Sequence, residues 1–268
     1  MLTRAITGTL FVAILISAIY FNSTIAFALI SLIVVLGVDE FYNLVKKHKQ
    51  ISPIKFWGLL SNLVLVITLC LIAQSSIENK FVLIPIIMLF STFLIELYRK
   101  KEQPFINVSY TLIASFYITV PFAMLYHLGF YSSSNYNYEI ILGFFFLLWT
   151  SDTGAYLSGK FFGKHKLFER ISPKKTWEGT IGGTLLTLII AYILSIYFTS
   201  LSLQNWLIVG LLTAIFGGLG DLVESMLKRS LNIKDSGNIL PGHGGILDRF
   251  DGLLLGIPFV YTYLHLVR

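Results

Sequence analysis

Between Ser225 and Asp251 the chain reads SMLKRSLNIKDSGNILPGHGGILDRFD, a run that holds three carboxylates, four cations, one histidine and four glycines. Glycines let backbone N–H groups come close to a phosphate, and the N-terminus of a following helix adds partial positive charge, so the run suits an anionic ligand. Just upstream, in FGGLGDLVESMLKR, Asp221, Glu224, Ser225 and Lys228 fall at helical spacing and share one face of an apolar helix. Asp248 and Asp251 share a face of the next helix. Carboxylates on two neighbouring helices, with Lys and Arg between them, form a site for magnesium and a polyphosphate. Mg2+ takes a few protein oxygens and completes its shell with water and phosphate. The blander readings are a Glu224–Lys228 salt bridge one turn apart and a solvated turn whose acids cap a helix.

Two more clusters bear on the same chemistry. In Ser172-Pro173-Lys174-Lys175-Thr176-Trp177-Glu178-Gly179, two lysines at a membrane surface could hold the phosphate of a lipid or nucleotide, with Trp177 at headgroup level. Basic loop residues taken alone, however, are usually topology determinants. Asp152, within Trp149-Thr150-Ser151-Asp152-Thr153-Gly154, either faces the same polar cavity or serves as an interhelical hydrogen-bonding residue. Asp39, Glu40 and Glu96 lie near span ends beside cationic loops, where interfacial ion pairing is expected. The five histidines are scattered without metal-ligand spacing, and the single cysteine, Cys70, allows neither an internal disulfide nor a cysteine metal site.

The elements that must position these groups are apolar. Only 13% of the 268 residues are charged and the mean hydropathy is +0.76, so the chain reads as an all-α, polytopic integral membrane protein. Its polar breaks delimit nine candidate transmembrane helices, near 5–21, 25–45, 56–73, 80–98, 105–127, 138–159, 177–198, 204–227 and 247–267. The first two are separated only by Asn22, Ser23 and Thr24; hydrophobicity resumes at once after them, unlike the single short apolar region of a signal peptide. Of the 20 Lys and Arg, 18 fall on alternate segments, leaving only Lys80 and Arg268 opposite, which predicts a cytoplasmic N-terminus and an outer C-terminus. The pI of 9.3 reflects these loop cations, which suit anionic headgroups and nucleotides. They sit on short loops rather than on a domain, so no nucleic-acid partner is expected. No internal repeat, low-complexity tract or soluble domain breaks the pattern. The chain is treated as one membrane domain, with 1–137 as a helical scaffold and 138–268 carrying the site.

The order Ser225-x-Leu227-Lys228-Arg229, Lys234-Asp235-x-Gly237, Leu240-Pro241-x-His243-Gly244-Gly245-Ile246 and Asp248-Arg249-Phe250-Asp251 resembles the signature of the phosphatidate cytidylyltransferase (CDP-diacylglycerol synthase) family. The segments SPKKTWEG and SDTGAYLSGKFFGK are similar to the same family, so the likeness runs from about Ser151 to the C-terminus. The resemblance implies magnesium-dependent transfer of a cytidylyl group from CTP to phosphatidic acid, giving CDP-diacylglycerol and pyrophosphate. It also implies a site on the cytoplasmic side of the inner membrane, contact with membrane lipid, and a homodimer formed through membrane helices.

On that reading Asp221 and Asp248 are the first choice of metal ligands, Asp251 and Glu224 the next, and Asp152 an outer candidate. Lys228, Arg229, Lys234 and Arg249 hold phosphate groups. His243, with Gly244 and Gly245, shapes the loop around the triphosphate, and Asp235 and Ser225 belong to the same signature. Ser172, Lys174, Lys175 and Glu178 close the site from the other loop. A second metal ion, monovalent or divalent, is compatible with this many acids. A cytidylyltransferase for an ether lipid, or a CTP-dependent polyprenol or phytol kinase, would use similar ingredients. An ion-coupled transporter also explains intramembrane acids, but its acids should line a route to both faces, whereas these gather at one.

Overall fold

A single residue, Asn22, separates the first two helices, α1 (Leu2–Phe21) and α2 (Ser23–Lys46). Its extended backbone breaks the helical path, and its side-chain oxygen accepts the Thr24 N–H at 2.6 Å, so α2 starts with its own cap. The computed structural model describes residues 2–47, 50–231, 233, 237 and 244–268. Lys234, Asp235 and His243 therefore lie outside the described residues.

After α2 come α3 (Lys55–Ala73), a 3-10 turn (Asn79–Val82) leading into α4 (Leu83–Tyr98), and α5 (Pro104–Ala114). A π-helical stretch, Ser115–Thr119, joins α5 to α6 (Val120–Leu128). Pro121 follows at once; it offers no backbone N–H and its ring clashes with the preceding turn, a local reason for the wider helix there. Then follow α7 (Glu139–Phe162), a hairpin of β1 (Lys166–Phe168) and β2 (Ser172–Thr176), α8 (Trp177–Tyr197), α9 (Leu203–Ser230) and α10 (Leu247–Leu266).

These helices follow the nine expected spans. Among the described residues, seven segments are long and apolar enough to cross a membrane: Ser23–Lys46, Lys55–Ala73, Asn79–Tyr98, Pro104–Leu128, Glu139–Phe162, Trp177–Tyr197 and Leu203–Ser230. The other two helices are α1 and α10. In α1 the described side chains give the apolar stretch Ile6–Phe21, and α10 opens with Asp248, Arg249 and Asp251. The hairpin replaces part of what reads in sequence as an irregular loop. Its strands pair antiparallel, with Lys166 opposite Thr176 and Phe168 opposite Ser172.

The chain divides into two compact units, Met1–Tyr136 with Leu231–Arg249, and Asn137–Ser230 with Phe250–Arg268. The described residues Leu231, Ile233, Gly237 and 244–249 thus group with the first unit although they follow most of the second in sequence.

In the first unit, α2 buries Ile30, Val34, Val38, Phe41 and Val45 on an apolar stripe. Polar groups that must be buried here satisfy one another, since the hydrocarbon of a membrane offers no water to do so. Tyr42 donates to the carbonyl of Thr111 at 2.8 Å, Thr119 donates to Asn62 at 2.5 Å, and Asn62 donates to the carbonyl of Gly58 at 2.7 Å. At the other end of α4, Glu96 accepts from Arg99 at 2.6 Å and from Asn107 at 2.7 Å, and Asn107 in turn accepts the Ser52 N–H.

The second unit is built on close helix contacts. α7 and α8 meet through Gly154, Ala155, Ser158 and Gly159 on one side and Gly179, Gly182 and Gly183 on the other. A methyl added at Gly154 would stand 3.0 Å from the Gly183 Cα. Small residues let two backbones approach and gain dispersion contact where lipid offers no hydrophobic drive between helices. The outward face of α8 carries Ile181, Leu185, Ile189, Tyr192 and Ile196, all exposed at helical spacing, as a lipid-facing surface requires.

Candidate active site

The second unit gathers its acids where α9 and α10 cross. Gly217 and Gly220 of α9 face Gly252 and Gly256 of α10. A methyl at Gly220 would collide with the carbonyl of Asp251 and stand 3.0 Å from the Gly252 Cα. Asp221 follows directly after that contact, Glu224 lies one turn further along α9, and Asp251 sits at the crossing on α10. One carboxylate oxygen from each of Asp221, Glu224 and Asp251 lies within 4.8 Å of the others. Asp152 of α7 adds its charge to the group, acting electrostatically on Asp251 and lying under the influence of Asp221 and Lys175.

Two lysines hold this acidic group in place. Lys175 of β2 reaches Asp221 at 2.7 Å and donates to the carbonyl of Gly218 at 2.7 Å. Lys228 reaches Glu224 at 2.6 Å, so the salt bridge one turn apart is formed, and by the same Glu224 that belongs to the carboxylate group. Glu224 is 1% exposed and needs such a partner, because an uncompensated charge at that depth costs several kcal/mol, about 3 or more. Ser225 donates weakly to Asp221 at 3.4 Å. Asp251 is steadied by the backbone of its own turn, its carboxylate accepting the Gly252 N–H at 2.7 Å.

The remaining expected residues take other places. Lys174 alternates with Lys175 along β2 and therefore points to the opposite side, where it is exposed. Ser172 sits in the β1–β2 pairing. Glu178 is engaged with the turn before the hairpin: it accepts the N–H groups of Lys164 and His165 at 3.1 and 3.2 Å and meets His165 Nδ1 at 2.6 Å. Arg229 ends α9 and is exposed.

Asp248, Arg249, Gly244 and Gly245 belong to the first unit. There Asp248 accepts the Gly245 N–H at 2.9 Å, folding the turn that enters α10. Gly244 adopts φ +84°, and a methyl there would stand 2.6 Å from the Asp248 carboxylate, so both conformation and space require glycine. Arg249 is exposed.

Sequence reasoning missed one residue. Asp39 makes the expected interfacial pair, with Lys55 at 2.7 Å, and Glu96 pairs with Arg99, but Glu40 turns inward. Its carboxylate accepts the N–H groups of Ile246 at 2.7 Å and Leu247 at 3.3 Å, 206 and 207 residues away in sequence. The available signal was the Asp39-Glu40 pair itself. Adjacent residues point about 100° apart on a helix, so Asp39 and Glu40 face different surroundings.

A carboxylate cluster flanked by lysines, on glycine-packed apolar helices, marks the site of a membrane enzyme. The chain belongs to the cytidylyltransferase family, whose model matches residues 2–267. It is 34% identical over 265 residues to the phosphatidate cytidylyltransferase of Staphylococcus haemolyticus, 97% of each chain. It is 43% identical over 163 residues to that of Staphylococcus aureus and 41% identical over 163 residues to that of Staphylococcus saprophyticus. These two alignments span 60% of each relative's length and of this chain.

Proposed function

We propose that this protein transfers a cytidylyl group from CTP to phosphatidic acid, forming CDP-diacylglycerol and releasing pyrophosphate for phospholipid synthesis. The site would face the cytoplasm, where CTP is found, in a bacterial inner membrane, with two copies associating through their membrane helices. The observation that carries the reading is the convergence of Asp221, Glu224 and Asp251, flanked by Lys175 and Lys228, within a chain of the cytidylyltransferase family.

The donor set fits magnesium. With oxygens about 2.1 Å from the ion, opposite ligands of an octahedron are about 4.2 Å apart. Three carboxylate oxygens within 4.8 Å of one another could share one ion by drawing together, since neighbouring ligands of that octahedron are about 3.0 Å apart. Asp221, Glu224 and Asp251 would hold the ion, and Asp152, whose charge acts on Asp251, would hold a second cation. Bound magnesium would offset charge on the triphosphate and on the pyrophosphate as it leaves.

The lipid supplies its own nucleophile. A phosphate monoester with a second pKa of about 6 is largely dianionic at neutral pH, so no protein base has to remove a proton. One of its oxygens forms a bond to the α-phosphorus of CTP while the bond to the bridging oxygen of the β-phosphate breaks, and the electron pair leaves with pyrophosphate. The obstacle is the approach of two anions. Lys175 and Lys228, anchored at the edge of the acidic group, bring fixed positive charge to that meeting point, and preorganised charge in a water-poor site acts more strongly than in solution. Arg229 and Arg249 would supply further cations for the phosphates.

Purified protein in liposomes should release pyrophosphate only when CTP, phosphatidate and magnesium are all present. Release of CDP with a phosphorylated lipid product would mark a kinase instead, and turnover without magnesium would remove the role given to the three acids.

A further inference from the structure

The chemistry above draws its residues from the second half of the chain, yet the turn that launches α10 is held from α2. The Glu40 carboxylate is 3% exposed and accepts two successive backbone N–H groups, Ile246 at 2.7 Å and Leu247 at 3.3 Å. These are among the first donors of α10, which have no partner within their own helix. Gly237 lies against the same carboxylate: a methyl there would stand 3.0 Å from both Cδ and Oε2 of Glu40. One turn earlier on α2, Gly37 provides the seat, where an added methyl would meet Ile118 at 3.4 Å, Leu247 at 3.6 Å and Ile246 at 3.8 Å. Ile118 belongs to the π-helical stretch Ser115–Thr119, so that irregular turn shapes the same seat.

We propose that Glu40 is a positioning residue for the reaction: its carboxylate, inserted from the N-terminal helices, fixes both the segment entering α10 and the start of the helix that carries Asp251. A buried carboxylate that meets two N–H donors makes charge-assisted hydrogen bonds, stronger and stiffer than those of a neutral acceptor. Only an anion with two acceptor oxygens serves both amides. The amide of Gln can present one oxygen, and its NH2 would confront the second donor. Gly237 also lies close to this carboxylate, so two separate points of the chain meet at one buried acid. The proposal rests on the cytidylyltransferase reading for its kinetic consequence, but the anchor itself can be measured without turnover.

The test compares Glu40→Gln with Glu96→Gln, because Glu96 is equally buried, at 3% exposure, but pairs with Arg99 and Asn107. In Glu40→Gln, kcat/KM for CTP should fall at least about tenfold in the folded protein while KM for phosphatidate stays within about twofold. Gly237→Ala, whose added methyl presses on the same carboxylate, should show the same split. Glu96→Gln should lower the melting temperature and leave both constants as they are.

Amide exchange by mass spectrometry supplies the second readout. The peptide covering 244–250 should exchange at least about tenfold faster in Glu40→Gln than in the wild type, while α2 peptides keep their protection. A Glu40→Gln protein with unchanged exchange over 244–250, or with kinetic constants matching those of Glu96→Gln, would overturn the proposal. A wild type that does not use CTP and phosphatidate, but whose 244–250 exchange still depends on Glu40, would overturn the assigned reaction and leave the anchor standing.

Discussion

Glu96 and Glu224 are both buried glutamates on apolar helices, and both have a cation beside them, Arg99 and Lys228 respectively. Their surroundings differ in kind. Glu96 is surrounded by donors: Arg99 and Asn107 occupy its two oxygens, and Asn107 extends the network to the Ser52 backbone. Glu224 shares its space with two further acids, Asp221 and Asp251, and with the charge of Asp152 nearby. A carboxylate whose neighbours are donors is a fastener. Carboxylates whose neighbours are carboxylates repel one another, and beyond the lysines at the edge a proton or a bound cation is needed to balance them. The comparison therefore separates a scaffold that satisfies its own polar groups from a site prepared for a ligand.

The contrast predicts unequal responses to substitution. Asp251→Asn should have the largest effect, lowering turnover on the order of 1,000-fold in pyrophosphate-release assays while the protein still folds, since removing one acid relieves repulsion as it removes one of the proposed metal ligands. Gly220→Val should come next. The added branches cannot fit against the Asp251 backbone, so α10 must shift relative to α9, and a displacement of about 1 Å at reacting groups can cost about a hundredfold in rate.

Lys175→Met should cost less, about 10- to 100-fold in kcat/KM, the range expected for a charge-assisted hydrogen bond made to Asp221 and to an approaching phosphate. Smallest in turnover should be Glu96→Gln. There the loss falls on stability, about 1–3 kcal/mol by thermal unfolding in detergent, with the kinetic constants of the folded fraction retained. Should Glu96→Gln lower turnover as strongly as Asp251→Asn, the division between fastener and site would be lost.

The helices were legible because membrane spans announce themselves by length and hydropathy, and the breaks at 47–54 and 99–103 are as polar as the breaks read from sequence. The hairpin of β1 and β2 was not legible. Five residues, Ser172–Thr176, with a proline among them, give no clear alternating pattern, and what folds the turn is Glu178 reaching back to the Lys164 and His165 amides.

At the site, sequence spacing could say that Asp221, Glu224 and Ser225 share a face of α9, because that depends only on the helical repeat. It could not say how α10 is rotated about its own axis. The crossing at Gly217, Gly220 and Gly252 sets that rotation and brings Asp251 to the acids of α9, whereas Asp248, one turn earlier, folds back on Gly245. Glu40 was hidden for a different reason. A contact between residues 206 apart leaves no trace in local spacing, and the residue type alone suggested a surface ion pair.

The central claim is that Asp221, Glu224 and Asp251 together hold a divalent cation, and binding of Mn2+ tests it most directly, measured by loss of the free-ion paramagnetic resonance signal upon titration with detergent-purified protein. The account predicts a saturable site in the wild type and in Glu96→Gln that is abolished in Asp251→Asn and in Asp221→Asn. Equal Mn2+ binding by the wild type and Asp251→Asn would contradict it.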